Sequence, residues 1–199
     1  MHYTIYDIPI LRNLLRFLSL CVLKIIGWRK SGQVPNIPKF VLIAAPHTSN
    51  WDFPVTLAIV FAFRMQLHWL GKESLFRWPF GILFRWLGGI PVSRSKSSDL
   101  VTQIIHIFKE KTRLIMMLAP EGTRKKVKYW KTGFYHIANG ANVPIVMGFL
   151  DYAKKVGGIG PVLMPTGNIE SDMEKIRAFY ENIKGKIPDK SATALIAPQ

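Results

Sequence analysis

A histidine and an aspartate lie close together in the chain, in a polar loop that follows a short apolar run. The loop covers residues 46–54, and within it His47 stands five positions before Asp52. A neutral imidazole can accept a proton from a hydroxyl near pH 7, and a carboxylate at its other nitrogen would fix its tautomer. In a continuous helix the two side chains would point about 140° apart, whereas a strand-to-helix turn can bring them together. Spacing alone fits equally a loop histidine beside a helix-capping aspartate.

A second polar loop follows another apolar run, Leu114–Leu118. It contains Glu121, Gly122, Thr123 and Arg124 and continues into a lysine-rich stretch. The glycine permits a tight turn, the threonine offers a hydroxyl, and the arginine offers a planar fork that suits a phosphate monoester. By itself the pattern also fits a surface turn followed by a solvated basic run.

Apolar runs and helical segments alternate along the chain. The runs at 40–45, 114–118 and 143–150 predict buried strands, and residues 54–64 and 97–112 predict helices. We therefore expect an α/β fold, a single domain with a mostly parallel central sheet flanked by helices, preceded by a membrane-associated amphipathic helix. In such folds functional groups gather where strands end, which is where both polar loops lie.

The N-terminal segment combines leucines and isoleucines with regularly spaced cations. We predict a membrane-associating helix in residues 1–30 and a folded domain in residues 38–199. The side chains assigned to membrane contact are Arg12, Arg16, Lys24 and Trp28. The cations fall in one arc of the helix, which is typical of a helix lying in the headgroup plane. A helix packed on the domain's own core, and a spanning helix anchored by its cations, are the alternatives.

The overall composition is both apolar and basic. Of 199 residues, 49% are hydrophobic, while 27 Lys+Arg against 12 Asp+Glu give a net charge of +15. Proteins that bind nucleic acid through such a charge are ordinarily hydrophilic, so an anionic membrane surface is the better match. The stretch 76–86 is rich in aromatic and cationic residues, which would suit the headgroup region of a membrane. The alternative is that its aromatic residues belong to the protein core. A single cysteine, Cys21, excludes a disulfide scaffold.

Several blocks, taken together, resemble the glycerolipid (PlsC-type) acyltransferase family. The histidine–aspartate loop and the block at 121–124 have two further blocks between them in the family's order, at 71–73 and 88–94, and one after them, at 143–145. The resemblance covers approximately residues 38–150. Two positions depart from the family pattern: Ser93 stands where an aspartate is frequent, and Met147 where a second proline is frequent.

The resemblance implies acyl transfer from a thioester, acyl-CoA or acyl carrier protein, to the hydroxyl of a lysophospholipid. The acceptor it favours is 1-acylglycerol 3-phosphate, which would give phosphatidate. His47 would be the general base, and Asp52 would orient it. The acceptor's phosphate would be bound by Arg94, Glu121, Gly122, Thr123, Arg124 and Lys72. The resemblance implies no cofactor besides the thioester co-substrate, and no metal.

The expected partners are membrane phospholipids, the thioester donor and the lysophospholipid acceptor, and not nucleic acid. We expect the protein at a membrane, on the cytoplasmic face of a bacterial inner membrane. Two alternatives stay open at this point. One is a related acyltransferase that uses another lyso-lipid acceptor. The other is a non-catalytic, basic, peripheral membrane-binding protein, which would leave His47, Asp52 and the 121–124 block unexplained.

Overall fold

A seven-stranded sheet forms the centre of the protein. The computed structural model describes residues 3–92 and 97–197. The strands in these ranges are β1 (Arg29–Ser31), β2 (Lys39–Ala45), β3 (Leu67–Lys72), β4 (Gly89–Val92), β5 (Leu114–Leu118), β6 (Ile145–Asp151) and β7 (Val156–Leu163). The helices are α1 (Pro9–Ile25), α2 (Asp52–Ala62), α3 (Gly81–Trp86), α4 (Ser97–Glu110), α5 (Gly133–Ala141) and α6 (Ile169–Tyr180). Short 3-10 turns cover Ile5–Asp7, Glu73–Phe76 and Pro188–Lys190.

The sheet is mostly parallel, as predicted. Its strand order is β1-β7-β6-β2-β5-β3-β4. Strands β2 to β6 run in one direction, β7 is antiparallel to β6, and β1 is parallel to β7. β2 lies between β5 and β6 and is covered on both faces, which is why its sequence is a nearly continuous apolar run. The chain therefore forms a single α/β domain.

The two faces of the sheet carry different helices. Successive strand side chains point to opposite faces, so β2 contributes to two separate cores. Phe40 and Leu42 pack with Phe61 of α2, on the face that α1 also covers. Val41 and Ile43 belong to the core formed with α4, α5 and α6 on the opposite face.

α3 lies on the same face as α1 and α2. The Trp69 ring of β3 has its centroid 5.0 Å from that of Phe53 in α2 and 6.0 Å from that of Phe84 in α3. Trp69 shares its face of the sheet with Leu67, which packs in the core under α2. One face thus carries α1, α2 and α3, and the other carries α4, α5 and α6.

The N-terminal helix packs Leu11, Leu15 and Leu23 against the domain and exposes a second apolar side. Its polar arc faces the domain: Ser19 is buried, Arg12 and Arg16 are half-buried, and the Arg16 Nε donates to the Ala62 carbonyl at 3.4 Å. Lys24 remains exposed. The exposed side chains of the helix include Ile10, Leu14, Phe17, Leu18, Val22 and Ile25. No helix within residues 3–92 and 97–197 combines the length and the apolar character that crossing a membrane requires.

Most element boundaries lie within a few residues of those predicted, and two differences have clear causes. β1 was not predicted, because its Arg-Lys-Ser sequence is polar and exposed at the edge of the sheet. The sequence predicts a helix over residues 132–139 that Gly140 ends, but α5 continues to Ala141. Asn142 then adopts the left-handed conformation, with φ of 53°, that terminates the helix.

The Tyr180 hydroxyl stabilises the sheet near the end of β2, just before the loop that contains His47. It lies 2.9 Å from the Gly148 carbonyl of β6 and 3.2 Å from the Ile43 carbonyl of β2. We predict that Tyr180→Phe lowers the free energy of unfolding by about 1 kcal/mol, because a buried hydrogen bond is lost. Urea unfolding should show this loss, whereas Tyr3→Phe, at an exposed tyrosine, should change nothing. Equal stabilities of both variants would refute the prediction.

Candidate active site

His47 and Asp52 meet in the turn between β2 and α2. His47 comes two residues after the end of β2, and Asp52 is the first residue of α2. The chain reverses between them, so the His47 Nδ1 lies 3.1 Å from the Asp52 Oδ2. The His47 side chain is 27% exposed, whereas Asp52 is almost fully buried. Because Nδ1 faces the carboxylate, Nε2 is the nitrogen left to accept a proton.

Asp52 is held in place by a set of donors. Its Oδ2 accepts the backbone N–H groups of Thr48 at 2.8 Å and Ser49 at 2.9 Å, and its Oδ1 accepts the Tyr152 hydroxyl at 2.9 Å. Burial alone would raise the pKa of Asp52. The hydrogen bonds from His47, Ser49 and Tyr152 outweigh that effect and lower the pKa. The carboxylate is therefore ionised at neutral pH and can stabilise a protonated imidazole.

Tyr152 is a site residue that the sequence analysis missed. It directly follows β6, so it lies at the same sheet edge as the loops after β2 and β5. Burial, followed by the negative charge of Asp52, raises the pKa of Tyr152, so its hydroxyl remains a donor. The ring packs edge-on against Trp28, with 4.8 Å between centroids, and Trp28 itself is buried. The position of Tyr152 at the end of a predicted strand was the signal that could have identified it.

Residues 184–187 pack against the same turn. The Ile187 N–H donates to the Thr48 Oγ1 at 3.2 Å, and the Tyr152 N–H donates to the Lys184 carbonyl at 2.9 Å. The Lys186 ammonium lies 5.0 Å from the centroid of the exposed Trp51 ring and 5.8 Å from that of Tyr152. A distant part of the chain thereby packs around the pair formed by His47 and Asp52, which we call the dyad.

Glu121 links the two predicted loops. Its Oε1 accepts the backbone N–H of His47 at 3.0 Å, so the loop after β5 holds the residue that follows β2. The side chain is 3% exposed, and its Oε2 has no hydrogen-bond partner within the described part of the chain. Burial raises the pKa of Glu121, and the His47 N–H only partly offsets this. The Glu121 carboxylate thus contacts the backbone of the dyad.

The other residues predicted to bind phosphate lie at the surface or outside the described residues. Gly122 has a φ of 63°, a conformation that favours glycine, and Thr123 is half-buried. Arg124 and Lys72 are both exposed. Arg124 lies in the loop after β5 and Lys72 is the last residue of β3, so both are at the same edge of the sheet as His47. Arg94 falls in the segment 93–96, which lies outside the described residues.

A family model for acyltransferases matches residues 29–147. The chain belongs to the acyltransferase family. This match, which covers more than half of the sequence, confirms the predicted family and enzyme class. The matched segment contains the dyad, Lys72, Arg94 and the 121–124 block.

The fold of this acyltransferase is similar to that of a solved structure, the 1-acyl-sn-glycerophosphate (LPA) acyltransferase PlsC from Thermotoga maritima. The TM-score is 0.60 at 18% sequence identity, and the similarity covers 89% of this chain and 81% of the other. A comparison with curated protein sequences found no significant match. Tyr152 and residues 184–187 lie beyond the segment that the acyltransferase model matches.

A small cavity in the acyltransferase reaches the dyad from inside the fold. Its volume is about 50 Å³, and it lies between α2 and the sheet. His47 and Asp52 are among its lining residues. The remaining lining is largely apolar and includes Leu42, Ile59, Met65, Met117, Gly148 and Ile159. His47 and Asp52 therefore adjoin an environment that favours hydrocarbon over water.

The buried Glu121 should give the acyltransferase a recognisable pH dependence of stability. Because its pKa is raised in the folded state, the folded protein binds more protons than the unfolded chain just above the ordinary Glu pKa. The free energy of unfolding should therefore fall as pH rises through that window. We predict that Glu121→Gln, which retains an acceptor for the His47 N–H, removes this decrease.

Urea unfolding of the wild type and the Gln variant between pH 4 and pH 8 tests the prediction. Glu121→Ala also removes the acceptor and should cost about 1–3 kcal/mol at every pH. Parallel pH profiles for the wild type and Glu121→Gln would show that the carboxyl group does not cause the decrease.

Proposed function

We propose that this acyltransferase moves a fatty acyl group from an acyl thioester, acyl-CoA or acyl carrier protein, to the hydroxyl of a lysophospholipid. The acceptor we propose is 1-acylglycerol 3-phosphate, and the product is phosphatidate. The observation that carries the proposal is the contact of the His47 Nδ1 with Asp52, which leaves Nε2 available as a base. The fold shared with the Thermotoga maritima enzyme, whose description names this acceptor, supports the choice.

The proposed reaction uses the dyad for both proton transfers. The His47 Nε2 accepts the proton of the acceptor hydroxyl while that oxygen attacks the thioester carbonyl carbon. Asp52 stabilises the imidazolium that forms, as a carboxylate does in other histidine-based transferases and hydrolases. When the tetrahedral intermediate collapses, the C–S bond breaks and the leaving thiolate takes the proton from His47. The new ester bond replaces the thioester, and the dyad returns to its starting state.

We propose that Arg124, Lys72, Arg94 and the turn at Gly122 and Thr123 bind the acceptor's phosphate. The exposed guanidinium of Arg124 suits a bidentate contact with a phosphate monoester. Glu121 is assigned a supporting role, because its carboxylate is buried and holds the His47 backbone. Glu121 would affect phosphate binding only indirectly, because it helps to position the loop that carries Arg124.

We further propose that the enzyme works at a membrane, on the cytoplasmic face of a bacterial inner membrane. Several large apolar side chains of α1 are exposed. Their contact with water is unfavourable, so a membrane in contact with this face would stabilise the protein. The net charge of +15 and the exposed Lys24 near the end of the helix favour anionic phospholipids. Arg12, Arg16 and Trp28 pack against the domain, so we assign the membrane contact mainly to the apolar side chains of α1.

Substitutions in the dyad should separate its two roles. We predict that His47→Ala lowers kcat at least about 10²-fold, because the base is lost. Asp52→Asn should also lower kcat about 10²-fold or more. An Asn carbonyl can still accept the Thr48 and Ser49 N–H groups, so this change removes the charge while it preserves the turn.

The measurement is thiol release from palmitoyl-CoA with 1-acylglycerol 3-phosphate in mild detergent, repeated with palmitoyl-acyl carrier protein. Circular dichroism verifies that both variants are folded. If both variants keep wild-type rates, the dyad is not catalytic. If the wild type releases no thiol with either donor and any lysophospholipid, the proposed function is wrong and a non-catalytic membrane-binding protein becomes the better explanation.

The acceptor's phosphate can be tested through Arg124. We predict that Arg124→Ala raises KM for 1-acylglycerol 3-phosphate about tenfold or more, since a charge-assisted contact contributes about 1.5–3 kcal/mol. With a lyso-lipid acceptor that lacks phosphate, KM should hardly change. Lys109→Ala is the control, because this exposed cation lies near the end of α4, which leads into the start of β5 at the other edge of the sheet. An unchanged KM for the phosphate acceptor in Arg124→Ala would argue for a different acceptor.

A further inference from the structure

The segment between β3 and the end of α3 exposes large apolar side chains to an unusual degree. Trp78 is 89% exposed and Ile82 is 78% exposed. The other members of this group are Leu75, Phe80 and Leu83, and we call the five residues the aromatic knuckle. Burial of such side chains away from water is strongly favourable, so a contiguous exposed group of them indicates a binding surface.

The aromatic knuckle is built on a packed base. Phe76 and Phe84 point inward, and the Phe76 centroid lies 5.7 Å from that of Trp69 and 6.4 Å from that of Phe84. Gly81 passes so close to the Phe76 carbonyl that no side chain would fit there. The inward-facing rings therefore fix the segment, and the five residues of the aromatic knuckle are exposed to water.

The knuckle and the apolar side of α1 belong to the same face of the protein. That face carries α1, α2 and α3, and it includes most of the large hydrophobic residues that are exposed in the structure. Among the described side chains of α4, α5 and α6 on the other face, none of the large hydrophobic residues is exposed. This segregation is expected when one side of a protein meets an apolar medium and the other meets water.

The knuckle also adjoins the catalytic turn. Phe53 directly follows Asp52 in the chain. The centroid of its ring lies 6.0 Å from that of Phe84, which belongs to the base of the knuckle. β3 ends at the same edge of the sheet as β2 and β5, so the chain enters the knuckle from the edge where His47 lies. Packed rings thus connect the base of the knuckle to the helix that begins at Asp52.

The charges around the knuckle identify the kind of partner. Lys72, Arg77 and Arg85 are exposed in and beside the segment, with Glu73 as the nearest acidic residue in the sequence. The Arg85 guanidinium lies 5.4 Å from the Phe76 ring centroid, and the Arg85 side chain is exposed. Exposed tryptophan and phenylalanine flanked by cations are suited to the interface of a bilayer, with aromatic rings at the level of anionic headgroups.

We propose that the aromatic knuckle inserts into an anionic phospholipid bilayer beside α1, so that two separate elements hold the catalytic edge of the sheet at the membrane surface. This inference rests on the proposed function, because a lysophospholipid acceptor and the dyad must meet at that surface. Insertion by α1 alone would fix the helix, whereas a second point of insertion also fixes which edge of the domain faces the lipid.

Trp78 provides a direct test in the full-length protein. Vesicles of phosphatidylcholine and phosphatidylglycerol, with and without bromine on the acyl chains, are mixed with the wild type and with Trp78→Phe. The difference between the two proteins isolates the Trp78 emission from that of the other tryptophans. We expect this emission to shift to shorter wavelength and to be quenched by brominated chains. A Trp78 emission that vesicles leave unchanged would overturn the proposal.

A pair of double substitutions tests the energetic contribution. Trp78→Ser with Phe80→Ser should weaken partitioning to these vesicles at least about tenfold, because two large rings no longer leave water. The matched control is Val162→Ser with Met164→Ser. Those exposed apolar residues lie at the end of β7, beside the start of β6 and therefore at the opposite edge of the sheet. Equal losses in both double variants, or none in the knuckle variant, would contradict the proposal.

Two further measurements keep the outcomes distinct. Acyl transfer to a short-chain acceptor, dissolved as monomers, reports the chemistry without a bilayer, and the knuckle variant should retain it. A wild type that binds vesicles through Trp78 but transfers no acyl group would refute the proposed function and leave membrane insertion supported. Sedimentation that shows a wild-type dimer, lost in the knuckle variant while vesicle binding is unchanged, would assign the knuckle to a second copy instead.

Discussion

The hydrogen bond from the His47 backbone to the buried carboxylate of Glu121 is the contact on which the geometry of the site depends. It joins the chain segments that leave the adjacent strands β2 and β5. Glu121 thereby fixes the backbone of His47, while Asp52 fixes the imidazole ring. Both carboxylates are nearly inaccessible, yet their pKa values shift in opposite directions. Asp52 is surrounded by donors, whereas Glu121 has few. The fold thus places the ionised carboxylate of Asp52 at the imidazole of His47, and the less easily ionised carboxyl group of Glu121 at the backbone of the same residue.

The distribution of hydrophobic side chains divides the protein by face. The helices α4, α5 and α6 bury their apolar residues on the sheet, as in a water-soluble domain. On the other face, α1 directs its half-buried arginines toward the domain and exposes a row of apolar side chains that includes Leu14, Leu18 and Val22. The segment from β3 to α3 adds the aromatic knuckle. Since the dyad lies at the edge where this face and the strand ends meet, binding to lipid and access to the reacting atoms would depend on the same surface.

Much of this architecture could be predicted from the sequence, because the features that define it are local. Buried parallel strands have continuous apolar sequences, and the two polar loops follow such strands directly. The orientation of α1 could not be predicted in this way. Its periodicity identifies two faces, but only tertiary packing decides that Ser19 and Arg16 face the protein. The role of Tyr152 could not be predicted for a similar reason, since its partner Asp52 is 100 positions away in the chain. Residues 93–96, which include Arg94, are outside the described structure.

The contact between Ile187 and Thr48 has a consequence for how the enzyme matures. The turn that carries His47 and Asp52 receives a hydrogen bond from a segment that is translated long after it, and residues 184–187 also support Tyr152. On the ribosome, the sheet core and the turn can assemble before this segment emerges, but the turn then lacks its outer support. The turn therefore acquires its outer support only after residues 184–187 have been synthesised and have packed against it.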